Sequence, residues 1–162
     1  MIRLLTPGDA EQLAALIASE RATLAATSPR DFLEQDAAAL RAAIEQAGEY
    51  RFGILAADGR LIGQLAITNV VRGPFRSANL GYWVAAREHR RGHASSAVAD
   101  ACSFAFGEGG LHRLEAGTML DNLASQRVLE RNGFVRIGIS PRHLEIGGEW
   151  RDHVLFARVA DD

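Results

Sequence analysis

The sequence predicts a mixed α/β domain with a mostly antiparallel sheet and one parallel crossover. Two hairpin signals and one change of period carry that prediction. Asp58-Gly59 and Gly147-Gly148 each separate a pair of strand-like runs. The stretch NLGYWVAAREHRRGHASSAVADACSFAF, Asn79 to Phe106, passes from an apolar run into helical spacing, and a further strand follows it. Strand, helix and strand in succession give a parallel pair.

The 162 residues fit a single domain spanning 1–162, long enough to bury a substantial core. Hydrophobic residues make up 48% and charged residues 23%, and the formal net charge of −2 gives no overall pull toward nucleic acid or a membrane. Cys102 is the only cysteine, so an internal disulfide is excluded and a reducing, cytoplasmic setting is expected. Its place in an apolar helix suggests packing. The apolar runs are shorter than a membrane helix needs, and no leader is expected.

Taken in order, Ile2 to Leu5 is a short strand. Thr6, Pro7 and Asp9 then supply a capping hydroxyl, a first-turn proline and an early carboxylate. The helix they open carries Leu13, Leu16, Ile17 and Leu24 on one face and stops at Ser28-Pro29. Arg30, Asp31 and Glu34 read as loop charges. A second helix runs from Asp36 to Ala47, with Leu40 and Ile44 toward the core and Gly48 as its stop.

Tyr50 to Ala57 and Arg60 to Val71 are strands, and Arg72-Gly73-Pro74-Phe75 turns the chain into a third, Leu80 to Val84. The central helix places Ala94, Ala97, Val98, Ala101 and Phe104 inward. After Gly107 to Gly110, His112 to Thr118 is a strand. Asp121 or Asn122 caps a fourth helix containing Leu123, Val128 and Leu129, closed by Asn132-Gly133. Phe134 to Ile146 and Glu149 to Val159 complete seven strands. Trp150 is expected as core or cleft wall, and the rings of Tyr82 and Trp83 as sheet packing. Asp152 and His153, adjacent on a strand, point to opposite faces and are expected to make separate structural bonds.

The turn before the central helix points to an anion. The first amides of a helix lack partners within it, and the helix dipole adds partial positive charge there, so a phosphate satisfies both. Arg90 and Arg91 add charge, Gly92 removes a Cβ from the approach, and His93, Ala94, Ser95 and Ser96 form the first turn, with hydroxyls as spare donors. A solvated helix cap is the plain alternative. The Walker and Rossmann glycine patterns are both absent. His89 and His93 have metal-pair spacing, but the Glu of His-Glu-x-x-His is missing and Gly92 interrupts the turn, so no metal is expected.

The run HRRGHA, His89 to Ala94, resembles the Gln/Arg-x-x-Gly-x-Gly/Ala acyl-CoA signature of the GNAT acetyltransferase superfamily. DNLASQRVLERNGF from Asp121, RGPFRSANLGYWV from Arg72 and GGEWRDHVLFAR from Gly147 resemble its RimJ-like branch, the ribosomal-protein alanine N-acetyltransferases. His89 departs from the signature's first position. The resemblance implies the GNAT fold, with a seven-stranded sheet, about four helices and a splayed parallel pair. Acetyl-CoA is the implied co-substrate, entering the gap between the parallel strands. Its pyrophosphate falls to His89 through Ser95, and its amide-bearing arm to the backbone of Trp83 and Val84. The resemblance also sets Asp31 and Glu34 beside the acceptor cleft.

An α-amine titrating near 8 is neutral in roughly one molecule in ten at pH 7, whereas a lysine is neutral in well under one in a thousand, so an N-terminal acceptor asks less of its base. The thioester carbonyl must be polarised and the departing thiolate protonated. Many GNAT enzymes have a tyrosine for the second task where this chain has Leu129; the RimJ-like branch is thought to use a serine one turn earlier, which matches Ser125. Asn122 is read as holding the acyl carrier's arm or capping its helix, and Glu115 as the base candidate, with surface pairing as its plain alternative. The activity the resemblance implies is acetyl transfer to the N-terminal α-amine of a protein, a ribosomal one in the RimJ-like branch. A small-amine acetyltransferase and a non-catalytic CoA-binding protein are the alternatives. A homodimer is compatible with the sequence.

Overall fold

The computed structural model describes residues 1–160. Its seven strands are β1 (Ile2–Leu4), β2 (Tyr50–Leu55), β3 (Leu61–Val71), β4 (Ser77–Val84), β5 (Arg113–Met119), β6 (Val135–Ile146) and β7 (Glu149–Val159). They form one sheet in the order β1-β2-β3-β4-β5-β7-β6. Neighbours are antiparallel except for β4 and β5, which are parallel as the crossover predicts. β4 starts at Ser77, earlier than the expected Leu80.

Among the described residues, five α-helices accompany the sheet: α1 (Ala10–Leu24), α2 (Arg30–Leu33), α3 (Ala37–Glu45), α4 (His93–Phe106) and α5 (Leu123–Arg131). α2 is the addition to the expected four, a single turn in the segment read as loop. Its charges behave as that reading supposed: Arg30 Nε donates to Glu34 at 2.7 Å on the exposed side, and Asp31 accepts from the Phe32 amide.

The entry to α1 is fixed by the residues the sequence singles out. Thr6 N donates to Asp9 Oδ2 at 2.7 Å and its hydroxyl to the same oxygen at 2.9 Å, while Arg3 grips the carboxylate with both terminal nitrogens. These bonds to the charged form hold the Asp9 carboxyl well below the usual range, Arg3 contributing most and burial opposing. Asp36 caps α3 by accepting from Ala39 N at 2.8 Å.

Ladder pairing sorts the side chains into two layers. Phe52, Leu65 and Tyr82 stand in one row across β2, β3 and β4, facing the core shared with α4. The next row, Gly53, Gln64 and Trp83, faces the opposite layer, where Leu13, Ile17, Leu40 and Leu61 are buried. Within α4, Ala97, Val98, Ala101 and Cys102 are buried, and burial pushes the Cys102 thiol up, as a packing role requires. Phe104 meets Tyr50 and Phe52 edge-on at 4.8 and 5.2 Å. Two apolar residues depart from expectation: Trp150 is 61% exposed at the β6–β7 hairpin and is not core, and Leu123 is exposed on α5.

Asp152 Oδ1 accepts from the Arg142 amide, whereas buried His153 bonds the Arg151 carbonyl, so the two act apart, as their alternation dictates. Among the described residues, no helix is long and apolar enough to cross a membrane and no group of three or more His, Cys, Asp or Glu is placed to hold a metal ion.

Candidate active site

β4 and β5 pair only over Ser77–Asn79 and Arg113–Glu115, although β4 continues to Val84 and β5 to Met119. Their far ends therefore have no ladder to each other, and the sheet opens into a wedge. Ala85 N donates to Ile62 O across the β3 side. Alternation along the ladder then sends the backbone groups of Val84 and Tyr82 toward the opened side and turns those of Trp83, expected there, back onto β3. A peptide-like ligand in the wedge would find strand donors and acceptors there.

The chain leaves β4 through a short 3-10 turn, Ala86–Glu88, and reaches α4 across His89 to Gly92. Arg90 and Gly92 adopt positive φ, 61° and 82°, and alternating backbone hands of this kind turn successive N–H groups to one side. Among the described residues, none of the amides from Arg90 to Ser95 has a hydrogen-bond partner. Six consecutive free donors thus lie at the positive end of a 14-residue helix, where anions are favoured. A Cβ on Gly92 would meet no protein atom within 4 Å, so the space above it is open to a ligand.

Basic side chains from this turn and from the β2–β3 hairpin gather around Glu88, which is only 4% exposed. Arg91 donates to its carboxylate at 3.2 Å, and His93, Arg60 and Arg87 lie 3.7, 3.6 and 3.8 Å from it. Glu88 thus holds the inner side of the turn, while Arg90 has no carboxylate partner among the described residues. His89 is spent locally: its Nε2 lies 2.9 Å from Val84 O, tying the turn to the strand. Of the expected anion-site residues, His89 therefore contributes structure through its ring. Ser95 Oγ accepts from Asn132 Nδ2 at 3.2 Å and keeps its hydrogen free. Asn132 also bonds Ser95 O and Val128 O, joining the end of α5 to the start of α4.

Trp83 turns its ring away from α4 and meets Phe32 of α2 edge-on at 6.3 Å. Its indole Nε1 is buried without a partner among the described residues. Tyr82 does more than the expected packing. Its ring packs against the main core, and its hydroxyl lies 2.8 Å from Ser125 Oγ and 3.2 Å from Ser125 O. Burial pushes that hydroxyl up to about 12, with the Ser125 bond acting in the other direction.

Asn122 caps α5, its Oδ1 accepting from Ser125 N at 3.2 Å. Ser125 is thereby set in the first turn of α5 beside the opened part of β4, and Leu129 one turn on is fully buried core. Glu115 is the last β5 residue paired to β4, at the apex of the wedge, and its carboxylate accepts from Arg113 Nε at 2.7 Å. Tyr82 and Ser125 thus meet beside the opened part of β4, with the Arg90–Ser95 turn beyond Val84, while Glu115 stands at the apex between the core residues Leu114 and Ala116 and points to the opposite face of the sheet from Tyr82. Tyr82, Glu88 and Asn132 are the participants that sequence reasoning did not find.

The family model described as "Acetyltransferase (GNAT) domain" matches residues 1–135. The chain is 40% identical over 120 residues to the "Probable N-acetyltransferase YjcK" of Bacillus subtilis, covering 74% of this chain and 66% of that protein. It is 34% identical over 119 residues to the "[Ribosomal protein uS5]-alanine N-acetyltransferase" of Escherichia coli, covering 73% of this chain and 61% of that one. The match thus spans slightly less than two thirds of the length of these curated relatives. Among solved structures, RimJ of Mycobacterium smegmatis in complex with CoA-disulfide superposes with TM-score 0.88 at 32% identity, covering 98% of this chain and 81% of that one. The ribosomal-protein-S5-alanine acetyltransferase of Vibrio fischeri gives TM-score 0.91 at 26% identity, covering 99% and 93%.

Proposed function

Since the chain belongs to the GNAT acetyltransferase family, we propose that it transfers acetyl from acetyl-CoA to a primary amine, with the N-terminal α-amine of a protein as acceptor. The observation that carries this reading is the row of free amides from Arg90 to Ser95 at the mouth of a sheet opened between β4 and β5. The 1–162 chain acts as one catalytic domain.

The residues present fit the co-substrate. Amides from Arg90 to Ser95, with Arg90 and Arg91, would hold the pyrophosphate, and Gly92 leaves room for it. The opened edge of Tyr82 to Val84 would take the amide-bearing arm as an added strand, with Asn122 at the nearby cap. Acetyl-CoA supplies an acyl group already activated as a thioester. The protein's task is to aim it, receive the neutral amine and manage protons.

An α-amine near pKa 8 is neutral in roughly one molecule in ten at pH 7. Glu115, at the apex, takes the excess proton directly or through water, its carboxylate held by Arg113 Nε at 2.7 Å. Ser125 would supply the departing sulfur with its proton. The 34% identity to a uS5-alanine N-acetyltransferase supports an N-terminal, ribosomal acceptor.

The test is to incubate the protein with acetyl-CoA and a panel of peptides and free amines and to read mass gain. Acetylation at peptide α-amines is the expected result. Modified polyamines or amino acids with untouched peptides would replace this acceptor with a small one. Tight CoA binding with no thiol release from any acceptor would leave a binding protein.

A further inference from the structure

We propose that Tyr82 is a positioning residue for acyl transfer, holding the Ser125 hydroxyl so that it relays a proton from the attacking nitrogen to the departing sulfur. The inference rests on the acetyltransferase reading above. Its basis is the 2.8 Å contact between Tyr82 Oη and Ser125 Oγ, which crosses from the unpaired part of β4 to the first turn of α5.

A serine hydroxyl has one hydrogen and two lone pairs, and its rotor is free unless something fixes it. Tyr82 has one hydrogen, within reach of Ser125 Oγ at 2.8 Å and Ser125 O at 3.2 Å; given to Oγ, it occupies one lone pair. The serine hydrogen is then free to point into the wedge, and the second lone pair is free to receive a proton. Both ends of the contact are held. The Tyr82 ring packs in the core beneath the sheet, and Asn122 Oδ1 fixes the Ser125 amide at 3.2 Å.

The proton balance explains why a relay is needed. As the C–N bond forms and the C–S bond breaks, the nitrogen must lose a proton and the sulfur gain one. A thiolate titrating near 8.5 does not take a proton outright from an alcohol, which is a far weaker acid. Ser125 therefore delivers its hydrogen to sulfur only while its oxygen accepts the proton leaving nitrogen. The products are an amide and a free thiol, Ser125 ends neutral, and nothing is oxidised or reduced. Tyr82 keeps its proton throughout, in agreement with a hydroxyl that burial makes reluctant to ionise.

The variant is Tyr82→Phe, alone and combined with Ser125→Ala, assayed with acetyl-CoA and a short alanine-initiated peptide. Loss of one orienting hydrogen bond is expected to lower kcat roughly tenfold. Peptide KM, CoA affinity and Tm should stay near the wild-type values, and Tyr82→Phe should cost nothing more once Ser125 is Ala. Unchanged kcat, or an equal further loss in the Ser125→Ala background, overturns the proposal.

A second measurement needs no acceptor: crystal structures of the wild type and Tyr82→Phe with CoA. The wild type should hold Ser125 Oγ in one rotamer within hydrogen-bond reach of the sulfur, and the variant should release it. The same rotamer in both overturns the proposal. A wild type that acetylates no peptide but shows this difference would sink the assigned acceptor and leave the positioning intact.

Discussion

Replacing Gly92 with alanine separates the phosphate turn from ordinary backbone geometry. Gly92 sits at φ 82°, where an L-residue costs about 1–2 kcal/mol. The added methyl clashes with nothing, because no protein atom lies within 4 Å of its position. On stability alone the variant should therefore lose about 1–2 kcal/mol, roughly 2–8 °C in Tm for a chain of this size. Gly48 provides the matched control, with φ 84° and equally empty space around its Cβ, between α3 and β2 at the end of the strand away from the turn. Gly48→Ala should show the same thermal loss.

The two variants should differ in ligand binding. In Gly92→Ala the new methyl stands in the space a pyrophosphate needs and disturbs amides that would each give it a charge-assisted bond, so CoA affinity should fall roughly tenfold to a hundredfold. Isothermal titration with CoA on both variants and the wild type reads this directly. Equal affinity for all three would refute the argument that Gly92 is present for a ligand.

Ser125→Ala should lower turnover by about tenfold or more while CoA affinity stays nearly constant, as a steady-state assay beside calorimetry would show; unchanged turnover would remove Ser125 from the chemistry. Glu115→Gln should depress kcat/KM most below about pH 8, where the acceptor is largely protonated, and a parallel downward shift at every pH would argue against a proton-accepting role. Asp9 is held at a depressed pKa, so the stability it contributes is present above about pH 4 and is lost as pH falls below that. Asp9→Asn should cost about 2 kcal/mol at pH 7 and flatten the acid limb of a urea-denaturation series. Asn132→Ala removes three buried donor contacts and should lower Tm by several degrees in a thermal scan, with Ser95 losing its tie to α5.

The fold was legible because its punctuation is local. Asp58-Gly59, Gly147-Gly148 and the Thr6-to-Asp9 cap each state their geometry within a few residues, and the parallel pair follows from the order of elements. α2 was missed because one turn gives helical periodicity nothing to repeat over. The phosphate turn could be read for the same local reason: glycine, arginines and a helix start are contiguous.

The interior of the wedge could not be read that way. Tyr82 and Ser125 are 43 residues apart and Ser95 and Asn132 are 37 apart, and no spacing rule links a strand side chain to a helix that packs on it later in the chain. Glu88 gave a faint signal, a carboxylate among arginines, but its burial is a tertiary fact. Trp150 shows the opposite case: of core or cleft wall, its placement in solvent at the hairpin excludes the core.

The proposed activity requires that the amides from Arg90 to Ser95 receive the pyrophosphate. A titration of the isotopically labelled protein with CoA, followed by amide proton and nitrogen shifts, tests it most directly. The largest changes are predicted for Arg90 through Ser95, with a second group along Tyr82 to Val84 on the opened edge of β4. Saturable binding that leaves those six amides unmoved, with the shifts gathered elsewhere on the sheet, would contradict it.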